Sequence, residues 1–453
     1  MRVALYLSLM ASVWVLGCDR KPAGPLEEAA LRRKQEPLVA RGDTSALADL
    51  AREQCRLLGR ESKQTCYENY FVALSDSGRV RLALGALTAL SSKDKQVQSD
   101  GHVYTHIIGI RAWAPGRDVG KVFESCTGLF QSGCYHGVIQ AYFTSDGSID
   151  STKVSWFCDL MEATRTNRWL RFQCVHGIGH GLEMVWNWDL PRSLQGCDWL
   201  PSTWDRESCY GGVFMENAVA SMPGGHHAPK RILAQTGGRA DGQTDSAQGE
   251  HSEHSEHSGH DMGSAAPITF KMRDSADALY PCSIVGPKYW QSCYMLQGGV
   301  IVGRFNQDYE RAALACNSSP KDVRQFCYLS MGTMASGITV QDVKRTIKLC
   351  SAAGDPGYRP WCFVGAVKNF IDVTANPADG FEFCKTVPPG DDKRQCWVAI
   401  GEQIGILYSE LPPREVACAK APEGQDECRF GAGLLATAPA GLPILPGRRS
   451  GGS

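Results

Sequence analysis

The sequence has no excess of basic residues and, after its first residues, no long apolar run. Its 453 residues include 47 Lys and Arg against 48 Asp and Glu, which gives a formal net charge of −1. Binding through nucleic-acid phosphates requires a strong basic excess, so the charge balance excludes nucleic acid as the main partner. No later stretch approaches the ~18 uninterrupted apolar residues that span a membrane, so we expect no such span there.

Familiar catalytic and cofactor-binding motifs are missing as well. The sequence contains no H-E-x-x-H, no G-x-S-x-G, no glycine-rich phosphate loop, no dinucleotide fingerprint and no C-x-x-C-H. These motifs mark zinc proteases, serine hydrolases, nucleotide-binding enzymes and covalently attached haem. A function must therefore come from another arrangement of residues.

The N-terminus resembles a bacterial lipoprotein signal peptide. Arg2 precedes an apolar run over residues 3–16, and the run ends in the lipobox-like sequence V-L-G-C. The run is too short for a comfortable membrane span. The resemblance implies that residues 1–17 are removed, that Cys18 is lipidated, and that residues 18–45 form a tether that turns into a helix. It implies a protein anchored by lipid in the bacterial envelope and facing the periplasm, on the inner or the outer membrane. A plain secretory signal with an incidental cysteine is the alternative.

Cysteine is abundant, with 19 in the chain, and it indicates an oxidising compartment with a disulfide framework. Without Cys18, an even number remains, and we expect no catalytic thiol among them. Read in order, they form nine neighbouring couples: Cys55 with Cys66, Cys126 with Cys134, Cys158 with Cys174, Cys197 with Cys209, Cys282 with Cys293, Cys316 with Cys327, Cys350 with Cys362, Cys384 with Cys396, and Cys418 with Cys428.

These couples reveal a repeat. The first cysteines of the last five couples recur every 34 residues, a period typical of stacked helical hairpins. In one period, Ser319 and Pro320 predict the start of a first helix that ends at Gly337, and Thr339 predicts the start of a second, with Asp342 in a capping position. Because the couples recur once per repeat, we predict that each forms a disulfide across the connecting loop.

The period and the hairpin layout resemble the tetratricopeptide class, although its consensus residues are absent. The resemblance implies an all-α fold, a right-handed solenoid of about ten ~34-residue helical hairpins. We expect N-terminal repeats over 46–222, C-terminal repeats over 268–435 and a flexible tail over 436–453. The 68-residue spacing from Cys66 to Cys134 spans two periods, so it predicts a unit without cysteines, in which Asp100 takes the place of the second cysteine.

The histidines of the N-terminal repeats are in register. Three consecutive units have a histidine two residues after the second-cysteine position, and two of them have another four residues later, with Gln140 at that place in the middle unit. These histidines are His102, His106, His136, His176 and His180. Side chains four apart share a helix face, and this spacing is typical of metal chelation. Glycines recur nearby, also in repeats without histidine, and we expect them to serve helix packing.

Imidazole ligands favour copper or zinc, with iron or a haem held by two histidines as further options. Nearby methionines (Met161, Met184 and Met215) favour copper, whereas Glu183 and Glu216 suit zinc or iron. An anion or substrate pocket and a purely structural role for the histidines are the alternatives.

A polar insertion over residues 223–267 interrupts the repeats. Four of its histidines recur every third residue, at His251, His254, His257 and His260. The composition cannot form a packed core, so we predict a disordered loop. Histidine-rich tracts of this kind bind metal weakly, and a solvated linker is the alternative.

Three functions fit these observations. The first is an envelope lipoprotein that binds copper or zinc, with the insertion as an auxiliary collector. The second is a metalloenzyme, such as an oxidoreductase, that uses the same histidines. The third is a scaffold that binds another envelope protein on the concave face of the solenoid, for which the C-terminal repeats without histidine are best suited.

Overall fold

The computed structural model describes residues 27–75, 79–146, 149–221 and 270–446, and these segments are helical without a strand. The predicted all-α class is therefore confirmed for the described part of the chain. The signal peptide, Cys18 and the histidine-rich insertion with its four regularly spaced histidines lie outside the described residues. In the segments described, no helix combines the length and apolarity needed to cross a bilayer.

Short and long α-helices alternate along much of the chain. They are α1 (Glu28–Ala40), α2 (Thr44–Cys55), α3 (Arg60–Ser75), α4 (Val80–Ser91), α5 (Lys95–Ala112), α6 (Val119–Glu124), α7 (Gly133–Asp146), α8 (Ser151–Trp156), α9 (Glu162–Thr166), α10 (Arg168–Val185), α11 (Leu190–Cys197), α12 (Thr203–Ala220), α13 (Trp290–Leu296), α14 (Gly298–Arg304), α15 (Tyr309–Asn317), α16 (Arg324–Ile338), α17 (Val343–Ser351), α18 (Arg359–Thr374), α19 (Phe381–Thr386), α20 (Asp391–Leu407), α21 (Leu411–Ala419) and α22 (Gln425–Gly431).

All nine predicted disulfides are present, each between cysteines that are neighbours in sequence. They join Cys55 to Cys66, Cys126 to Cys134, Cys158 to Cys174, Cys197 to Cys209, Cys282 to Cys293, Cys316 to Cys327, Cys350 to Cys362, Cys384 to Cys396, and Cys418 to Cys428. The predicted sequential pairing is therefore confirmed.

The bridges connect consecutive helices across short loops. In the most regular units, a short helix ends near the first cysteine and the following long helix carries the second, as for Cys350 in α17 and Cys362 in α18. The paired cysteines are 8 to 16 residues apart. Crosslinks over such loops stabilise a fold by about 2–3 kcal/mol each, mainly by restricting the unfolded chain.

The long helices pack against one another in chain order. Helix α7 lies between α5 and α10, α10 packs on α12, and α16, α18, α20 and α22 form a similar series. Helix α12 packs directly on α13, although residues 221–289 separate them in sequence. This order places the three histidine-bearing helices side by side.

Glycines make these helix contacts close, as the sequence predicts. A Cβ atom on Gly137 would lie 2.1 Å from the carbonyl oxygen of His106, and one on Gly212 would lie 1.9 Å from that of His176. Units without histidine have the same contact, for example at Gly332, 1.9 Å from the carbonyl oxygen of Cys362. The helices therefore meet backbone to backbone, and any larger residue would separate them.

A recurring turn corrects the predicted helix boundaries. In three units, two consecutive residues with positive φ separate the long helix from the next one: Asn187–Trp188, Asn306–Gln307 and Val340–Gln341. An aspartate follows each pair and caps the new helix; the side chain of Asp342 accepts a hydrogen bond from the Arg345 amide. Helix α17 thus begins at Val343 rather than Thr339. Helix α16 begins at Arg324, four residues after Pro320, because a turn intervenes.

The unit without cysteines is helical, with Asp100 on α5 where the register predicts it. A polar contact joins this unit to helix α3 of the preceding one. Asp94, which caps α5, is 2.6 Å from Lys63 Nζ and accepts a hydrogen bond from Tyr67 Oη at 3.0 Å.

The C-terminal repeats contact the N-terminal ones. The amides of Phe130 and Gln131 donate to the carbonyls of Val373 and Asp372, at 2.5 and 3.0 Å. These carbonyls belong to the last turn of α18, where the helix has no further amide groups to donate hydrogen bonds to them. The loop over residues 128–132, between α6 and α7, is therefore held by α18.

Part of the predicted tail packs on the helices. Trp361 Nε1 donates to the carbonyl of Pro446 at 3.0 Å, and Leu445 is 5% exposed. Residues 436–446 thus cover part of the C-terminal repeats.

Candidate metal centre

The five predicted histidines lie together on three adjacent helices. Helix α5 carries two of them, α7 carries one and α10 carries two. They form two trios, and within each trio the candidate ligand atoms lie within 4.8 Å of one another. The trios are His102, His106 and His136, and His136, His176 and His180. His136 belongs to both.

Burial keeps the rings of His102, His136, His176 and His180 neutral. Four of the five residues are at most 4% exposed, and His102 is half-buried. Burial lowers the pKa of His180 to about 3 and that of His102 to about 4. At His102, repulsion from neighbouring rings lowers the pKa further, by less than burial does. The pKa values of His136 and His176 lie well below the usual range, because of burial and then of repulsion between rings. At neutral pH each of these four rings therefore keeps one nitrogen lone pair.

Two of the rings are oriented by backbone carbonyls. His102 Nδ1 donates to the carbonyl of Phe130 at 2.8 Å, and His176 Nδ1 donates to that of Ser208 at 3.2 Å. Since a carbonyl only accepts, Nδ1 carries the proton in both rings and Nε2 carries the lone pair.

Side-chain oxygens orient the other three rings. His106 Nδ1 lies 3.3 Å from Gln140 Oε1, and His180 Nδ1 lies 2.8 Å from a carboxylate oxygen of Glu216. His136 has the opposite arrangement, because its Nε2 donates to Gln173 Oε1 at 2.9 Å. His136 Nδ1 and His180 Nε2 are buried without a hydrogen-bond partner.

This arrangement has the chemistry of a metal site. The second ring N–H of a ligating histidine usually donates a hydrogen bond to a carbonyl or carboxylate, which fixes the tautomer and raises the basicity of the ligand. Buried lone pairs without partners are costly, and a cation can satisfy several at once. Copper or zinc bonds to imidazole are about 2.0–2.1 Å long, so the nitrogens of a trio would move closer together around the ion.

The carboxylates have different positions from those expected of ligands. Glu216 contacts the outer nitrogen of His180, so it orients a ligand. Glu183 is fully buried, with Ser193, Asn217 and Glu216 close by, and neither of its oxygens has a hydrogen bond of normal geometry. Burial, reinforced by Glu216, raises the pKa of Glu183 to about 8, so its carboxyl group is largely protonated at neutral pH.

One of the three methionines lies beside the cluster. The Sδ atom of Met184 accepts a hydrogen bond from Gln140 Nε2, and Gln140 contacts His106. Met161 packs against Gly120, and Met215 is half-buried on α12.

Sequence reasoning missed Phe130, Gln173 and Ser208, whose oxygens orient three of the rings. Gln173 and Ser208 each immediately precede the second cysteine of a repeat, and each contacts the histidine that follows the second cysteine of the preceding repeat. A comparison of positions between adjacent repeats could have found these two.

No family model, curated protein or solved structure matches this chain.

Proposed function

We propose that this protein binds a transition-metal ion through His102, His106, His136, His176 and His180. The observation that carries the proposal is the fixed orientation of all five rings. Each ring has one nitrogen on an oxygen acceptor, and the five residues form two overlapping trios whose candidate ligand atoms lie within 4.8 Å of one another. Structural histidines would need no such arrangement of lone pairs.

Copper in the Cu⁺ state fits this centre best, with Zn²⁺ as the alternative. The ligands are neutral, and burying a doubly charged ion among neutral groups costs more than burying a singly charged one. A trio of imidazoles satisfies Cu⁺, whereas Zn²⁺ needs a fourth ligand to complete its tetrahedron. The thioether of Met184 beside the cluster adds a soft donor near the site.

The helix contacts favour a bare ion over a haem. Helices α5 and α7 meet at Gly137, where the position of a Cβ atom lies 2.1 Å from the His106 carbonyl oxygen. Helices α10 and α12 meet in the same way at Gly212. A porphyrin between these helices would require them to separate.

We further propose that the protein is a lipoprotein of the bacterial envelope, anchored through Cys18 and facing the periplasm. The nine disulfides support an oxidising compartment. The insertion over residues 223–267 then serves as an auxiliary metal collector, through His251, His254, His257 and His260. The C-terminal repeats offer a docking face for an envelope protein, on the concave side of the proposed right-handed solenoid.

The first prediction separates the helical site from the insertion. Protein without a His-tag should hold one tightly bound ion per chain, and deletion of residues 223–267 should leave that ion in place. The joint substitution His176→Ala and His180→Ala should raise Kd for Cu⁺ or Zn²⁺ by more than about 100-fold, because two of the ligands are lost. Elemental analysis and calorimetric titration measure both quantities.

The joint substitution His254→Ala and His257→Ala is the matched control, since it removes two histidines from the insertion and should spare the tight ion. The proposal is wrong if deletion of the insertion removes all metal while the helical double variant keeps it. The histidine cluster would then be structural, and the scaffold function would be the better account.

A metalloenzyme is the second candidate, and Glu183 is the observation that favours it. Each trio leaves a coordination position open, and a buried carboxyl group with its pKa raised to about 8 can hold a proton near the site. For such an enzyme, Glu183→Gln would abolish turnover while metal content stays the same.

A further inference from the structure

The two histidine trios share one residue, His136. We propose that a single ion occupies the trios in turn, first the outer one with His102 and His106 and then the inner one with His176 and His180. This relay rests on the proposed metal-binding function. It assigns the cluster a second property, a directed path for the ion.

His136 can ligate one ion at a time. Its Nε2 donates a hydrogen bond to Gln173 Oε1 at 2.9 Å, so its one lone pair is on Nδ1. Nδ1 is buried and has no hydrogen-bond partner. Two cations in neighbouring trios would also repel each other strongly in this poorly hydrated interior. Single occupancy follows, with His136 as the ligand common to both positions.

The burial of the residues sets the direction. His102 is half-buried, whereas His106 and His136 are 2% exposed and His180 is fully buried. His176 is 4% exposed. His102 is therefore the residue of the cluster nearest to solvent, although its Nε2 is buried. His180 contacts Glu216 on α12 and has its ring centre 5.1 Å from that of His106.

The hydrogen bonds make the inner trio the stronger site. In the outer trio, the acceptors on His102 and His106 are a backbone carbonyl and an amide oxygen. In the inner trio, His180 donates to the carboxylate of Glu216 at 2.8 Å. An anionic partner makes imidazole a better donor to a metal and offsets the charge of the buried ion.

The transfer is a ligand exchange at constant charge. The bonds from the ion to His102 and His106 break as bonds to His176 and His180 form, and the bond to His136 Nδ1 persists. The rings are neutral before and after, so no proton and no electron moves. A ring separation of 4.8 Å between His136 and His176, and of 5.2 Å between His136 and His180, keeps the new ligands within reach.

The test measures the rate and the equilibrium of Cu⁺ loading separately, under anaerobic conditions, with a coloured Cu⁺ chelator as donor. His102→Ala should slow loading at least about tenfold and raise Kd at most about threefold. His180→Ala should keep fast loading and raise Kd more than about 100-fold. Ser99→Ala, an exposed position on α5, is the control for both quantities. His102→Gln replaces His102→Ala if the alanine variant lacks native disulfides or helicity.

Two results would overturn the relay. If the two histidine variants change rate and affinity alike, the five rings form one undivided site. If the wild type holds two Cu⁺ ions at saturation, each with trio-like affinity, the centre is dinuclear. Wild-type protein that binds neither Cu⁺ nor Zn²⁺ tightly would instead refute the proposed function itself, so the two failures are distinguishable.

Discussion

Each histidine of the cluster has its two ring nitrogens in different surroundings. One nitrogen faces an oxygen that only accepts hydrogen bonds, such as the Ser208 carbonyl or the Glu216 carboxylate. The other nitrogen is buried in His102, His106, His136 and His180. Outer contacts of this kind typically change metal affinity by 10- to 100-fold when they are lost. Gln140, Gln173 and Glu216 therefore belong to the site as positioning residues.

At the residue scale, we predict that the metal-free protein loses stability in mild acid. Unfolded histidines titrate near 6.5, whereas the folded pKa values of His102 and His180 are about 4 and about 3. Between pH 6.5 and about 4 the unfolded chain binds more protons, so the free energy of unfolding falls as the pH falls through that window. Each such ring should contribute a loss of about 1 kcal/mol by pH 5.5. Urea unfolding with EDTA at pH 7.0 and 5.5, compared with His180→Gln, measures it.

Glu183 should change the free energy of unfolding with pH in the opposite direction, so it provides a control. Its folded pKa, about 8, lies above the usual glutamate value of about 4.3, so folding binds a proton and stability falls as the pH rises between these values. Glu183→Gln should therefore stabilise the protein at pH 8 relative to pH 5, by about 2 kcal/mol. If neither variant changes the pH dependence of unfolding, burial does not control these groups.

At the scale of the helices, glycine contacts set the distances within the cluster. Because α5 meets α7 at Gly137 and α7 meets α10 at Gly177, imidazoles on neighbouring helices have ring centres 4.8–5.9 Å apart. A wider separation of the helices would leave the nitrogens too far apart for one ion. Glycines at equivalent positions also pack the repeats without histidine. The helix packing common to the fold thus makes the metal site feasible.

We predict that Gly137→Ala impairs both folding and metal binding. The added Cβ would lie 2.1 Å from the His106 carbonyl oxygen, so α5 and α7 must separate. Overpacking of this kind costs about 1–3 kcal/mol, and we expect Kd for Cu⁺ to rise at least about tenfold as well. Gly337→Ala is the matched control, since a Cβ there meets no atom within 4 Å and should leave stability the same or raise it. Equal effects of the two substitutions on stability and affinity would show that these contacts do not shape the site.

At the scale of the whole molecule, the C-terminal repeats reach the metal centre through one loop. The loop over residues 128–132 donates two amides to the end of α18, and the carbonyl of its Phe130 accepts from His102. Phe130, Gln131 and Ser132 all have positive φ, a conformation that needs support from outside the loop. The C-terminal repeats therefore hold the group that orients the outermost ligand.

The anchoring proposal is tested on the full chain in a bacterial host. Cys18→Ser should release the protein from membranes or leave it as an unprocessed precursor, because the lipid attachment site is lost. Membrane fractionation with fatty-acid labelling detects both outcomes, and Ser12→Ala, within the apolar run, should remain lipidated. Membrane association that persists without label would show that another part of the protein provides the anchor.

The sequence by itself determined the all-helical class, the nine disulfide pairs and the common register of the five histidines. Local spacing decides these features: paired cysteines are 8 to 16 residues apart, and residues four apart share one face of a helix. The same pattern placed α17 four residues too early, because it did not reveal the positive φ values at Val340 and Gln341. Only the tertiary structure decided which ring nitrogen keeps its proton and that His136 belongs to both trios. It alone showed that Phe130 is held by Val373. The physical reason is distance along the chain, since hydrogen bonds between different helices depend on how the helices pack.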